Sequence, residues 1–362
     1  MADASRGFDE HYYSRGFDEH YYLAANPDVA QAVKRGIFAS GAEHFEKHGA
    51  RERRSARADA RIAPPPLPIP GDLTGFNRRD KLLAGLDLKA LDGAEIGALA
   101  FPLVRPAEGN ITYVDWTDTQ TLRRNYANDP AVNVDEIVDV GAIWGSNTLL
   151  EALGGRKIDY VINSHVVEHV PDLVTWLAEI REVLRPGGRL RMIAPDRRFT
   201  FDILRNETRL HDVLDAWIRK ARAPLPRALL ENLSLLREFD FRKVWEGDFD
   251  PLSLPAINDT KRAIADARDV LENNKYIDNH CWVFTPKSMA TLFAQLAEID
   301  LLNFRLSQFF DTPYMGAEFT VHMAPCDNKD EIIASWREMA ALAADLPPPR
   351  RKRIARLFGA GR

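Results

Sequence analysis

IDYVINSHVVEHVPDLVTWLAEIREVLRPGGRLRMIAPD, residues 158–196, reads as strand, polar loop, helix, turn and strand. IDYVI is short and rich in β-branched and aromatic residues, which suits a buried strand. Pro171 and Asp172 suit the first turn of a helix, where proline loses no hydrogen bond and an acid meets the positive end of the dipole. Leu173, Leu177, Ile180 and Leu184 follow on one helical face. Pro186-Gly187-Gly188 predicts a helix stop and a turn, and RLRMIAP a returning strand. A strand–helix–strand unit pairs in parallel with a right-handed crossover.

The rest of the chain supplies a setting for this unit. Its 362 residues hold one large domain with extras, or two domains. A hydrophobic content of 45% and a charged content of 28% are those of a soluble globular protein. A net charge of −5 gives no general pull towards nucleic acid or anionic lipid. Two cysteines, Cys281 and Cys326, make no disulfide framework and agree with a reducing cytoplasm. No apolar leader and no run of about 18 apolar residues is present, so neither a signal peptide nor a membrane span is expected.

Composition divides the chain into four parts. Residues 1–57 are a helical module that contains the nonapeptide SRGFDEHYY twice, at 5–13 and 14–22. Asn26-Pro27-Asp28 predicts a helix start, and Ser40 with Glu43 a capping box. Helices this short bury little alone, so docking or self-association is expected. Residues 58–72 are proline-rich and predict an extended spacer. Residues 73–326 form the main domain, and 327–362 a helix with Ile332, Trp336 and Met339 followed by a basic tail.

Within the main domain, DGAEI and ITYVDW read as strands, Glu136–Val140 as a third strand, and Ser146–Leu153 as a helix. Residues 197–279 carry helical stripes, among them Leu210, Val213, Leu214, Trp217 and Ile218. Thr285 and Pro286 open a helix with Met289, Leu292, Phe293 and Leu296 facing inward. Strands around Phe304–Phe310 and Phe319–Met323 follow.

In this order the motifs resemble class I S-adenosylmethionine-dependent methyltransferases. Glu95-Ile96-Gly97 matches the opening of the family's E-x-G-x-G-x-G loop, and Asp115 the acid that closes strand two. Asp159, Glu168 to Asp172, the L-x-P-G-G turn, Pro195-Asp196 and the F-T-P helix start after His280 match later features. Leu99 and Phe101 depart from the pattern, standing where glycines belong. The resemblance implies an α/β, Rossmann-like, seven-stranded mixed sheet with an antiparallel edge hairpin and a helical insertion after strand five. It implies S-adenosyl-L-methionine as cofactor, held by Glu95, Gly97, Asp115, Asp139, Ser164 and His165. Trp116 either lies against the adenine or packs in the core. The acceptor is expected to be a hydroxyl or carboxyl of a small molecule or glycan. Histidine suits proton transfer near neutral pH, so His169 or His280 is the candidate to receive the acceptor proton. The N-terminal module resembles helical modules on bacterial surface-polysaccharide enzymes, which implies a protein partner and a role in polysaccharide biosynthesis.

Two other readings stay open. One is a non-catalytic binding protein that retains the fold. The other is a zinc hydrolase, because His165-x-x-Glu168-His169 fits H-x-x-E-H. That signature needs both histidines on one helix, whereas here it follows directly on a strand and meets Pro171 two positions later. No C-x-x-C occurs, and no metal is expected.

Overall fold

The computed structural model describes residues 17–52, 54–57, 76–246, 250–273 and 275–344. The first nonapeptide copy, the proline-rich spacer and the basic tail lie outside them. Seven strands form one sheet: β1 (Asp92–Ile96), β2 (Asn110–Asp115), β3 (Ala142–Ile143), β4 (Ile158–Ser164), β5 (Leu184–Pro195), β6 (Phe304–Phe310) and β7 (Glu318–Pro325). Their order is β3-β2-β1-β4-β5-β7-β6. Strands β1 to β5 run parallel, and β7 is antiparallel to both its neighbours. This is the expected mixed sheet with an antiparallel hairpin at its edge.

Helices cover both faces. The N-terminal module holds α1 (Glu19–Ala25), α2 (Pro27–Lys34) and α3 (Gly41–His44), and α4 (Arg78–Leu83) leads into the sheet. Between strands lie α5 (Thr119–Asn125), α6 (Leu149–Ala152) and α7 (Leu173–Val183). The insertion after β5 contains α8 (Leu210–Ile218), α9 (Pro226–Leu235), α10 (Phe241–Glu246) and α11 (Thr260–Asn273). Then come α12 (Pro286–Glu298) and, after β7, α13 (Lys329–Leu342). No helix among the described residues is long and apolar enough to cross a membrane.

Strand β4 is buried from Ile158 to Asn163, which explains its unbroken apolar run. Helix α7 starts two residues later than the sequence suggests, at Leu173 rather than Pro171. Asp172 is its N-cap, with its carboxylate accepting from the Thr175 amide at 3.0 Å. Leu173, Leu177 and Ile180 are buried in the main core.

Two expectations need correction. Pro186-Gly187-Gly188 does not separate the helix from the strand. The helix ends at Val183, and β5 runs through all three residues as a bulge, pairing Leu184 with Ile158 and Arg189 with Tyr160. The residue before a proline is pushed towards extended backbone, so strand geometry sets in ahead of Pro186. The third strand is not Glu136–Val140 but Ala142–Ile143. Ile137 and Val140 pack with Leu122 and Ala100 instead. Their segment also bonds elsewhere: the Val138 amide donates to Leu99 O at 3.0 Å and the Val140 amide to Thr119 Oγ1 at 2.8 Å.

The N-terminal module docks on the main domain. Tyr22 is fully buried, and its hydroxyl meets His44 Nδ1 at 2.9 Å. The Glu19 carboxylate accepts from the amides of Gly41 and Ala42, at 2.7 and 2.9 Å. The Gly154-Gly155 turn receives the module: the Tyr21 hydroxyl donates to Gly155 O, and the Ser55 amide to Gly154 O at 2.7 Å.

His322 on β7 anchors α4 by donating from Nε2 to Lys81 O at 2.9 Å. Burial, then the neighbouring Arg191 charge, lowers its pKa from 6.5 to about 3. A base with a depressed folded pKa stabilises the fold above its unfolded value, and that stability is lost as the pH falls from 6.5 towards 3. His322→Gln keeps a donor but cannot titrate. Denaturant unfolding at pH 7 and pH 5 should therefore show the wild type losing about 2 kcal/mol more than the variant over that interval. Equal losses would remove His322 as a source of acid sensitivity.

Candidate active site

A cleft of about 930 Å³ opens at the carboxyl ends of β1, β2 and β4, the edge at which open α/β sheets bind ligands. Strands β1 and β4 end together there beside β5, with Ile96 opposite Asn163 and Ile193 opposite Ser164.

Gly97 leaves β1 with φ +68°, and a Cβ on it would lie 2.7 Å from Val166 Cγ2. Leu99 also adopts left-handed backbone, φ +46°. The loop therefore bends as a glycine loop would, without the second glycine. Glu95 holds it down: its buried carboxylate accepts from the amides of Leu103 at 2.7 Å and Val104 at 3.1 Å. Burial pushes its pKa up to about 7 despite these bonds.

Asp115 ends β2 on the cleft wall. Burial raises its pKa to about 6, against the lowering effect of the bond that it accepts from the Trp116 amide at 2.8 Å. Trp116 stacks on Tyr276, with ring centroids 5.1 Å apart. Both rings line the cleft.

Ser164 accepts a hydrogen bond from Arg78, whose Nε also pairs with Glu318 at 3.0 Å. His165 turns left-handed, φ +55°, with Nε2 at 2.7 Å from Glu318 and Nδ1 at 3.4 Å from Glu168. Burial would lower its pKa, but the two carboxylates outweigh it and raise it to about 9. His165 is thus clamped between two acids that favour its charged form.

His169 also lines the cleft, its Nδ1 held by Asp278 at 2.9 Å. Burial works against the charged form, but Asp278 and the adjacent Glu168 raise its pKa overall. His280 does not line the cleft. It sits behind His169, edge to face at 4.7 Å, with Nδ1 bonded to Asp202 at 2.6 Å. Asp139, expected among the cofactor-holding residues, is exposed and does not line the cleft. The short 3-10 turn and extended backbone that replace the predicted strand carry it away. The H-x-x-E-H segment forms turns rather than a helix, so it does not present His165 and His169 as a hydrolase pair.

Sequence reasoning missed Arg78, Tyr276, Asp278 and the wall formed by Trp217 and Ile218, all of which line the cleft. Tyr276 and Asp278 had one signal, their nearness to His280. Trp217 and Ile218 had another, the helical stripe of the insertion after strand five, and Arg78 had none.

This sheet order and cleft define a class I methyltransferase fold. Residues 93–192 match the family model described as a methyltransferase domain, and that stretch is such a domain. An uncharacterized 37.1 kDa protein in transposon Tn4556 of Streptomyces fradiae is 36% identical over 115 residues, 31% of this chain and 30% of that protein. A ubiquinone biosynthesis O-methyltransferase of Cereibacter sphaeroides is 52% identical over 44 residues, 12% of this chain and 18% of its own. The chain thus spans less than a third of the length of these relatives. A solved DhpI–SAH complex is 12% identical, with a TM-score of 0.29 and coverage of 66% of this chain and 78% of that one.

At a left-handed position glycine is favoured over alanine by about 1 kcal/mol, the reverse of their usual order. Both Leu99→Gly and Leu99→Ala lose the leucine's packing, so their difference isolates the backbone. Leu99→Gly should be the more stable in urea unfolding; an equal or lower stability would mean that residue 99 is not left-handed in solution.

Proposed function

We propose that the chain transfers a methyl group from S-adenosyl-L-methionine to a hydroxyl or carboxyl oxygen of a small-molecule or glycan acceptor. The observation that carries this is the meeting of the Gly97 turn and the Asp115 carboxylate on one cleft, within the segment that matches a methyltransferase domain. The residues present suit the cofactor. Gly97 leaves room for close backbone approach, and Asp115 has a carboxylate that accepts only one hydrogen bond among the described residues, which fits ribose hydroxyls. The bound sulfonium supplies the activated methyl group. The chain's own task is alignment and exclusion of water. Phe101, Trp217 and Ile218 provide an apolar wall, and His169 a polar end where an acceptor oxygen is held.

The name of the Cereibacter relatives supports an oxygen acceptor. A role in polysaccharide biosynthesis rests on the resemblance of the N-terminal module, as does a protein partner for that module. A cytoplasmic location rests on the sparse cysteines. The replacement of glycines by Leu99 and Phe101 favours a second reading, a non-catalytic protein that keeps the fold.

Calorimetric titration of the full chain with S-adenosylmethionine separates the two readings. Saturable binding is expected, and Asp115→Ala should weaken it by about 1–3 kcal/mol, the cost of leaving buried partners unpaired. Absence of heat up to millimolar cofactor would favour the non-catalytic reading, and an unchanged affinity in the variant would take Asp115 out of the site.

A further inference from the structure

We propose that Glu168, His169 and His280 form a site for a divalent transition metal at the inner end of the cleft, and that its ion holds the acceptor oxygen. The second half of this rests on the methyltransferase reading; the site itself does not. One ligand atom from each of the three residues lies within 4.8 Å of the others. Ligands about 2.1 Å from a common ion stand about 3–3.5 Å apart, so a side-chain movement of about an ångström closes the set.

The surroundings are arranged as metal sites are. Each histidine has Nδ1 engaged by a carboxylate, His169 by Asp278 at 2.9 Å and His280 by Asp202 at 2.6 Å. That leaves Nε2 as the ligand on both rings. A carboxylate on the far nitrogen is the usual device for fixing the tautomer and aim of a ligating imidazole. Asp202 is fixed in turn by the buried Arg205 at 2.9 Å. Asp202 and Asp278 are therefore positioning residues.

Glu168 is the independent observation. Its side chain is fully buried, and neither carboxylate oxygen accepts a hydrogen bond. The nearest cationic partners are His165 Nδ1 at 3.4 Å and His169 Nε2 at 4.0 Å from Oε1. The His165 ion pair compensates part of its charge, but both buried oxygens still lack a hydrogen bond, and a coordinated cation would satisfy them. Two imidazoles and one carboxylate suit zinc, iron, manganese or cobalt rather than magnesium or calcium. Of the three ligands, His169 lies on the cleft wall, so an acceptor would reach the ion from that side. There the ion would lower the pKa of an acceptor hydroxyl, whose proton would pass to solvent because both histidines are then taken up as ligands, and would stabilise the charge left on oxygen. The set differs from the H-x-x-E-H pairing because His165 is bound to Glu318, and His280 takes its place from the far end of the insertion.

The full chain, stripped with chelator and titrated with cobalt(II), tests this by visible absorption. One equivalent should bind with ligand-field bands, and Glu168→Gln and His280→Gln should abolish them. Asp278 is half exposed, so Asp278→Asn spares the fold. It should weaken cobalt about 10–100-fold, as loss of such a partner does at known sites. Failure of the wild type to bind one equivalent overturns the site, as does cobalt binding that is the same in His169→Ala and Asp278→Asn. Calorimetry with S-adenosylmethionine on the same samples separates the two ideas. Cofactor binding without cobalt binding overturns the metal and leaves the methyltransferase reading, whereas cobalt binding without cofactor supports the site and overturns its assignment to the acceptor.

Discussion

Two adjacent parallel strands, β1 and β4, that end at one level beside β5 impose the rest of the molecule. Ile96, Asn163 with Ser164, and Ile193 face each other across β1, β4 and β5. Beyond that level β5 continues to Pro195 against β7, but β1 and β4 have no strand partner and turn at once. They do so through left-handed residues, Gly97 after β1 and His165 after β4. The two turns pack on each other, because the space a Cβ would fill at Gly97 is taken by Val166, one residue past His165. The cleft floor is the result of this interlock. Strain at His165, of about 1–2 kcal/mol for a residue other than glycine, is offset by its bonds to Glu318 and to Ile193 O.

The two ends of the sheet treat buried charge differently. At the amino end Arg185 is buried and pairs with Asp159 at 2.8 Å and Asp92 at 2.9 Å. Those charges pair across β1, β4 and β5, and the cluster is structural. At the carboxyl end Glu95 is satisfied by backbone amides, Asp115 accepts one bond, and Glu168 accepts none. Incompletely paired acids at the edge where open sheets bind ligands mark a place that takes a partner.

Much of the fold was legible because its signals are local. The apolar run of β4, the capped faces of α7 and α12, and the alternating edge strands each depend on nearby residues. Glu136–Val140 misled because its apolar residues fit a strand equally well, yet they pack on Leu122 and its amides bond to Leu99 and Thr119. Asp139 went with it. Site residues at strand ends were legible for a topological reason: parallel strands bring their carboxyl ends to one edge. Arg78, Tyr276 and Asp278 were not, because they arrive from a leading helix and from the insertion, which carry no motif. Leu99 shows a subtler limit. The lost glycine reads as a lost loop, but packing around Leu122 and the bond from Val138 to Leu99 O hold the same bend.

The insertion is more than a cover. Its last residues run from Tyr276 to Trp282 along the histidine end of the cleft. Glu168 O accepts from the amides of both Cys281 and Trp282, at 2.6 and 3.1 Å, and Trp282 Nε1 donates to Val170 O at 2.6 Å. The turn that carries Glu168 and His169 is thereby clasped to the segment that carries Asp278 and His280. Trp217 and Ile218, from α8 of the same insertion, form the apolar wall. On the proposed reading the insertion frames most of the acceptor end of the cleft, while Gly97 and Asp115 stand apart at the ends of β1 and β2. Such a division lets the insertion change what is recognised without disturbing the half of the cleft that suits the cofactor.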